Sequence, residues 1–212
     1  MAEQLSERPI LMTPENAQKC YEQTKTQTRR IIKPQPLSIS WFEHQNGWCA
    51  RVREDTGSAE HPAYVMVACP YGGIGDRLWV RESWASCHKC WCEMYRGQDV
   101  GHCPWCDEST SGLRWKPSIH MPRSACRTVL EVTAVRVEQV QDISEEDARA
   151  ERVNSIAHGR DGYYYSAFRD EPHHDNWIDP VDAYKELWES IHGHGSWARN
   201  PWVWVITFHK VG

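Results

Sequence analysis

Seven consecutive residues, Thr24-Lys25-Thr26-Gln27-Thr28-Arg29-Arg30, gather three hydroxyls, one amine and two guanidiniums. An amine beside a hydroxyl can take up the proton of a threonine nucleophile. Neighbouring guanidiniums, flat and rich in donors, can hold an anion or the polar edge of a ring. The same composition also suits a solvated strand edge, so its meaning depends on what else the chain carries.

A second chemical signature lies downstream. Cys87-x2-Cys90 and Cys103-x2-Cys106 are two knuckles separated by twelve residues. Such turns let four thiolates converge on one tetrahedral Zn2+. Cys92, His88 and His102 are further donors in the same stretch. Four thiolates, with no His-x-Glu nearby, fit a closed structural ion better than a catalytic one with an open position.

Composition sets the frame. The chain has 212 residues, 40% of them hydrophobic, and a net charge of −5; this is ordinary globular material, and an acidic balance argues against a general nucleic-acid coat. It leaves room for a nucleobase pocket, and the twelve tryptophans include rings that could stack on bases. Nine cysteines, five of them clustered, point to metal or free thiols in a reducing compartment. No apolar run is long enough for a membrane span. The polar start, Met1 to Pro9, lacks a basic, then apolar, leader pattern, so a cytoplasmic location is expected.

These side chains need elements to position them. Pro9–Met12 reads as a strand, and Thr13-Pro14-Glu15 starts a helix that runs to about Gln23 and delivers the Lys25–Arg30 stretch. Short strands follow around Trp41, Trp48–Val52 and Tyr64–Val67, with a hairpin signal at Asn46-Gly47. Tyr71–Asp76 is a glycine-rich turn without the lysine or helix of a phosphate loop. In Arg77–Glu82, Leu78 and Val80 alternate with polar residues, as in a half-buried strand; Arg81 and Glu82 have the charges to pair with each other. Cys126–Gln141 is the best strand region, long enough to bend and serve two parts of a barrel. Ser144 caps a helix, with Asp147 three residues on. Residues 154–180 read as an inserted loop or lid. Asp182–Ile191 is an amphipathic helix, and Pro201–Phe208 is a closing strand. The expected class is α+β: a single domain over 1–212, a small β-barrel with peripheral helices, and a cysteine-rich insertion at 86–110.

Four segments together resemble the ASCH domain of the PUA-like superfamily: Lys25–Arg30, Gly75–Glu82, Ile143–Asp147 with Glu151, and Asn200-Pro-Trp-Val-Trp-Val. Within that superfamily the chain is similar to the small bacterial amidohydrolases that remove acyl groups from the exocyclic amine of cytosine nucleosides. The resemblance implies a PUA-like barrel and a catalytic triad with Thr28 as nucleophile, Lys25 as its base and Glu151 as the orienting acid. It leaves Arg29, Arg30, Arg81 and Trp84 to hold the pyrimidine of a small nucleoside substrate. The superfamily also holds RNA-binding modules, so the alternative is a non-catalytic reader of RNA or a modified base, with phosphodiester cleavage a more distant third. The chain departs from those amidohydrolases in being about twice their length and in carrying Gln23-Thr24 where a glycine often precedes the lysine motif.

Overall fold

The computed structural model describes residues 5–36, 42–44, 47–53, 64–98, 101–158, 162–167 and 177–211. In chain order its strands are β1 (Glu7–Leu11), β2 (Gln27–Ile31), β3 (Phe42–His44), β4 (Gly47–Arg53), β5 (Tyr64–Ala68), β6 (Arg77–Arg81), β7 (Trp84–Ser86), β8 (Glu93–Tyr95), β9 (Val129–Gln139), β10 (Asn154–His158), β11 (Gly162–Ser166) and β12 (Trp202–Lys210). The helices are α1 (Pro14–Tyr21), α2 (Glu145–Ala150) and α3 (Pro180–His192). Spatial contacts divide the chain into two compact units: residues 1–24, 75–132 and 209–212 form one, and residues 25–74 and 133–208 form the other.

In the first unit β1 runs parallel to β6, and β6 pairs antiparallel with the start of β9, Leu78 opposite Leu130. The alternation read from the sequence holds: Ile10, Leu78, Val80, Leu130 and Val132 are buried while Arg77 and Glu7 face outward. Thr13 caps α1, its hydroxyl accepting from the Asn16 N–H, but the helix stops at Tyr21, two residues short of the expected end. Glu82 does not pair with Arg81. Its two carboxylate oxygens each accept from Arg127, at 2.8 Å, and the Arg127 guanidinium lies over the rings of Tyr21 and Tyr95. Gly97 sits against α1 so closely that a Cβ there would lie 2.5 Å from the Pro14 carbonyl oxygen. Backbone cannot yield as a flexible side chain can. Gly97→Ala is therefore expected to cost about 1–3 kcal/mol, and a urea-unfolding free energy equal to wild type would contradict this contact.

In the second unit β2 and β12 are antiparallel, with Val203 opposite Ile31 and Thr207 opposite Gln27. Residues β3, β4 and β5 form a three-stranded antiparallel sheet. The 44–47 pairing brackets the expected Asn46-Gly47 turn, whose Asn46 lies outside the described residues. The core gathers Val140, Ile143, Ala148, Val153, Tyr184, Trp188, Val203 and Val205. The Tyr184 and Trp188 spacing on α3 is the apolar stripe anticipated from the sequence, though α3 begins earlier, at Pro180, with Asp179 as its cap.

Two expectations change. Among the described residues the strands form open sheets and no closed barrel. The stretch from 154 is not simply a loop: β10 and β11 pair antiparallel from Asn154 opposite Ser166 to His158 opposite Gly162. The β-branched and aromatic residues Ile156, Tyr163, Tyr164 and Tyr165 supply the strand preference; without a clean period of two their pattern was read as irregular. Residues 168–176 of the expected lid lie outside the described residues. No described helix is long and apolar enough to cross a membrane.

Candidate functional site

Strand alternation decides which residues of the Thr24–Arg30 stretch can meet. Gln27 and Arg29 project from one face of β2, and their partners on β12, Thr207 and Val205, share that face. Arg29 Nη1 donates to Gln27 Oε1 at 2.7 Å. Arg29 Nε donates to Glu138 Oε1 at 2.9 Å, Nη2 to Asp147 Oδ2 at 2.9 Å, and Nη1 to Glu151 Oε1 at 3.4 Å. Gln27 Nε2 donates to Asp147 Oδ1 at 3.0 Å. Arg136 bridges Glu138 and Asp147 from the other side. The Arg29 guanidinium also lies 5.7 Å from the Tyr184 ring centroid, and burial beside Glu151 pushes the Tyr184 hydroxyl's pKa well up.

Lys25 completes this network. Its side chain is 2% exposed, and its Nζ contacts Glu151 Oε2 and donates to the Glu151 carbonyl oxygen at 2.8 Å. Glu151 is the residue that ends α2, and Arg152 just beyond it has φ of 68°, the left-handed conformation that commonly closes a helix. A helix end leaves carbonyls without intrahelical partners and a partial negative charge. The Lys25 ammonium satisfies both, and the Thr26 N–H donates to the Ala150 carbonyl at 3.1 Å. Three cations and three carboxylates thus balance: Lys25, Arg29 and Arg136 against Glu138, Asp147 and Glu151. Burial opposes ionisation of Asp147, yet the Gln27 amide together with Arg29 and Arg136 holds its pKa below the ordinary carboxyl value.

The other residues anticipated for chemistry lie elsewhere. Thr28 pairs with Ile206, and Arg30 with Trp204, so both project from the opposite face of β2 to Gln27 and Arg29. Lys25 precedes β2, but it shares the Glu151 carboxylate with Arg29, which puts its amine on the Arg29 face and away from Thr28. Thr28 is buried, and the Arg30 guanidinium lies 6.0 Å from the Tyr71 ring centroid. Arg29, expected to hold substrate, is instead buried and committed to its carboxylates. Arg81 and Trp84 belong to the first unit. Arg81 donates to the Ile119 carbonyl and lies over the Trp79 ring. Trp84 is 8% exposed, packed with Met121 and Ala125, with the Lys116 ammonium 4.3 Å from its ring centroid; it offers no open face to a base.

Sequence reasoning missed Glu138, Arg136 and Gln27, and read Asp147 only as a helix-capping acid. Its N–H does donate to the Ser144 hydroxyl at 3.1 Å, which makes Ser144 the cap, but its carboxylate is turned to Gln27, Arg29 and Arg136. The available signal was the interruption of the valine pattern of β9 by Arg136 and Glu138, charges of opposite sign two apart on one strand face.

The cysteine stretch forms a second candidate centre. The sulfurs of Cys87, Cys90, Cys92 and Cys103 lie within 4.8 Å of one another, a set that could hold a metal ion. Cys106 Sγ is 3.5 Å from Cys87 Sγ. The fourth member of the mutually close set is therefore Cys92, where the knuckle spacing pointed to Cys106. His102 is turned out to solvent, its Nδ1 3.9 Å from Asp107. Amides of Cys90 and Lys89 hold the Cys87 thiol's pKa below its ordinary value. Against the opposing effect of burial, amides of Trp105 and Cys106 and the Cys92 thiol bring Cys103 down to about 6. Burial and the neighbouring thiols push Cys92 up, and four sulfurs this close together could hold a thiophilic divalent ion.

No protein-family model, curated protein or solved structure matches the chain.

Proposed function

We propose that the chain is an ASCH-type amide hydrolase acting on acylated cytosine nucleosides. The observation that carries this reading is the buried Lys25–Glu151 pair, two ionisable residues brought together from 126 positions apart beside a strand that presents a threonine hydroxyl and an arginine on its other face. In the proposed reaction the Thr28 hydroxyl attacks the acyl carbonyl, and the C–N bond breaks. As the resemblance assigns it, Lys25 with Glu151 receives the threonine proton and returns it to the departing exocyclic amine, a transfer for which Lys25 must reach across to the Thr28 face. Water then cleaves the acyl-threonine to a carboxylic acid and free Thr28. In this reading Arg30, on the same strand face as Thr28, holds the pyrimidine. Incubation with N4-acetylcytidine, followed by ultraviolet detection of cytidine, tests the reading; absence of turnover by folded protein would remove it.

Strand alternation favours a second reading. Proton transfer needs Thr28 and Lys25 within hydrogen-bond reach, and the Lys25 amine lies on the Arg29 face, away from Thr28. If Lys25 serves only to close α2, the Thr28 and Arg30 face binds a base or RNA without chemistry. That reading predicts oligonucleotide binding that weakens with salt and on Arg30→Ala.

We further propose that the cysteine centre holds Zn2+ as a structural ion. Zinc would tie the two knuckles together, a cross-link that a stretch with so small a core needs. Purified protein is expected to carry about one zinc per chain, and chelation to lower the thermal midpoint reversibly. Identical midpoints with and without zinc would remove the assignment.

A further inference from the structure

The cysteine centre carries one thiol more than a tetrahedral ion accepts, and its two turns are built alike. In the first turn the Cys87 N–H donates to the Cys92 carbonyl at 2.9 Å, and the Trp91 N–H to the Cys87 carbonyl at 3.1 Å. In the second the Cys103 N–H donates to the Glu108 carbonyl at 2.8 Å, and the Asp107 N–H to the Cys103 carbonyl at 2.9 Å. Trp91 and Asp107 both have positive φ, 61° and 56°. The two turns therefore superpose position by position: Cys87 on Cys103, Cys90 on Cys106, Trp91 on Asp107, and Cys92 on Glu108. By this correspondence Cys106 is the natural fourth ligand and Cys92 the supernumerary thiol.

Distances place Cys92 in the centre all the same. Its sulfur is 3.2 Å from that of Cys90 and 3.3 Å from that of Cys103, while Cys90 and Cys103 are 3.6 Å apart. Cys106 approaches from the other side, 3.5 Å from Cys87. Four thiolates around zinc sit about 3.8 Å from one another, given Zn–S bonds of about 2.3 Å. The four separations given above lie slightly inside that spacing.

We propose that this centre is an exchange site for a thiophilic divalent cation, in which Cys87, Cys90 and Cys103 are constant ligands and Cys92 and Cys106 alternate in the fourth position. The displaced thiol stays within reach of the metal, available to electrophiles and able to re-enter as a ligand leaves. Metal transfer to a competing chelator then proceeds by replacement of one thiolate by another and never leaves the ion three-coordinate. The inference rests on the zinc assignment above, and the experiment separates the two.

The test uses zinc-loaded full-length chain and three variants, Cys92→Ser, Cys106→Ser and the double substitution, with bound zinc measured by native mass spectrometry. Each single variant is expected to keep the wild-type zinc content and the double variant to lose it. Brief N-ethylmaleimide treatment of the zinc-loaded wild type is expected to label Cys92 and Cys106 in divided yield, with Cys87, Cys90 and Cys103 protected. Loss of zinc in one single variant but not the other, or in both, would overturn the exchange and establish a fixed ligand set. Wild type that holds no zinc would overturn the metal assignment itself.

Discussion

Thr28→Ala is expected to lower turnover of N4-acetylcytidine by about a thousandfold or more, as loss of a covalent nucleophile does. Thr28→Ser, which keeps the hydroxyl, should stay within about tenfold of wild type. The pair of variants isolates chemistry from folding, because Thr28 is small and its replacement removes little buried surface. Glu151→Gln keeps the shape of the acid while removing its charge, and a loss of about 100- to 10,000-fold is expected if it shares the proton with Lys25. A Thr28→Ala protein as active as wild type would eliminate Thr28 as nucleophile. The facing of Lys25 would then stand as the reason, since its amine lies on the Arg29 face of β2, away from Thr28. Retained binding of cytidine or RNA without turnover in wild type would move the assignment to the non-catalytic reading.

Arg29→Met is expected to destabilise the protein by about 3–5 kcal/mol, the cost of breaking a buried ion network from one side. Arg29 serves Glu138, Asp147, Glu151 and Gln27 through its three guanidinium nitrogens, and its side chain is fully buried. Removing it leaves Lys25 and Arg136 to balance three carboxylates. Arg29→Lys should recover only part of the loss, because one ammonium cannot span donors pointing in so many directions. Urea-unfolding free energies for the three proteins test this, and a loss under about 1 kcal/mol for Arg29→Met would show the network to be energetically slack. The acid side carries a related signature. The folded Asp147 carboxyl titrates below its unfolded value, so its contribution is complete above the unfolded pKa of about 4 and is lost as pH falls through the lower folded value. Without Arg29 that pKa rises toward the unfolded value, so the loss on acidification should be smaller and be complete at a higher pH.

Both results bear on how the site should be understood. Lys25 and Glu151 are joined by two contacts, one to the carboxylate and one to the helix-ending carbonyl. The first suits acid–base work; the second is a helix stop. Arg29 Nη1 holds the Glu151 carboxylate, and Thr28 and Arg30 lie on the opposite face of β2.

What the chain reveals without its fold is local. Thr13 and Ser144 cap helices through hydrogen bonds to residues three positions away, and the apolar alternation of Leu78 and Val80 sets a strand face through side chains two apart. The cysteine turns are equally local, closed by backbone bonds spanning four and five residues, so their spacing could be read directly. Tertiary structure alone decided the rest. Arg29 finds Glu138 and Asp147 across more than a hundred residues, and no composition or period links charges so distant. Cys92 enters the metal-ligand set through the approach of two separate turns in space. The open sheets found among the described residues, in place of a barrel, follow from which strands pair, a choice made between segments that look alike as sequence and differ only in their neighbours.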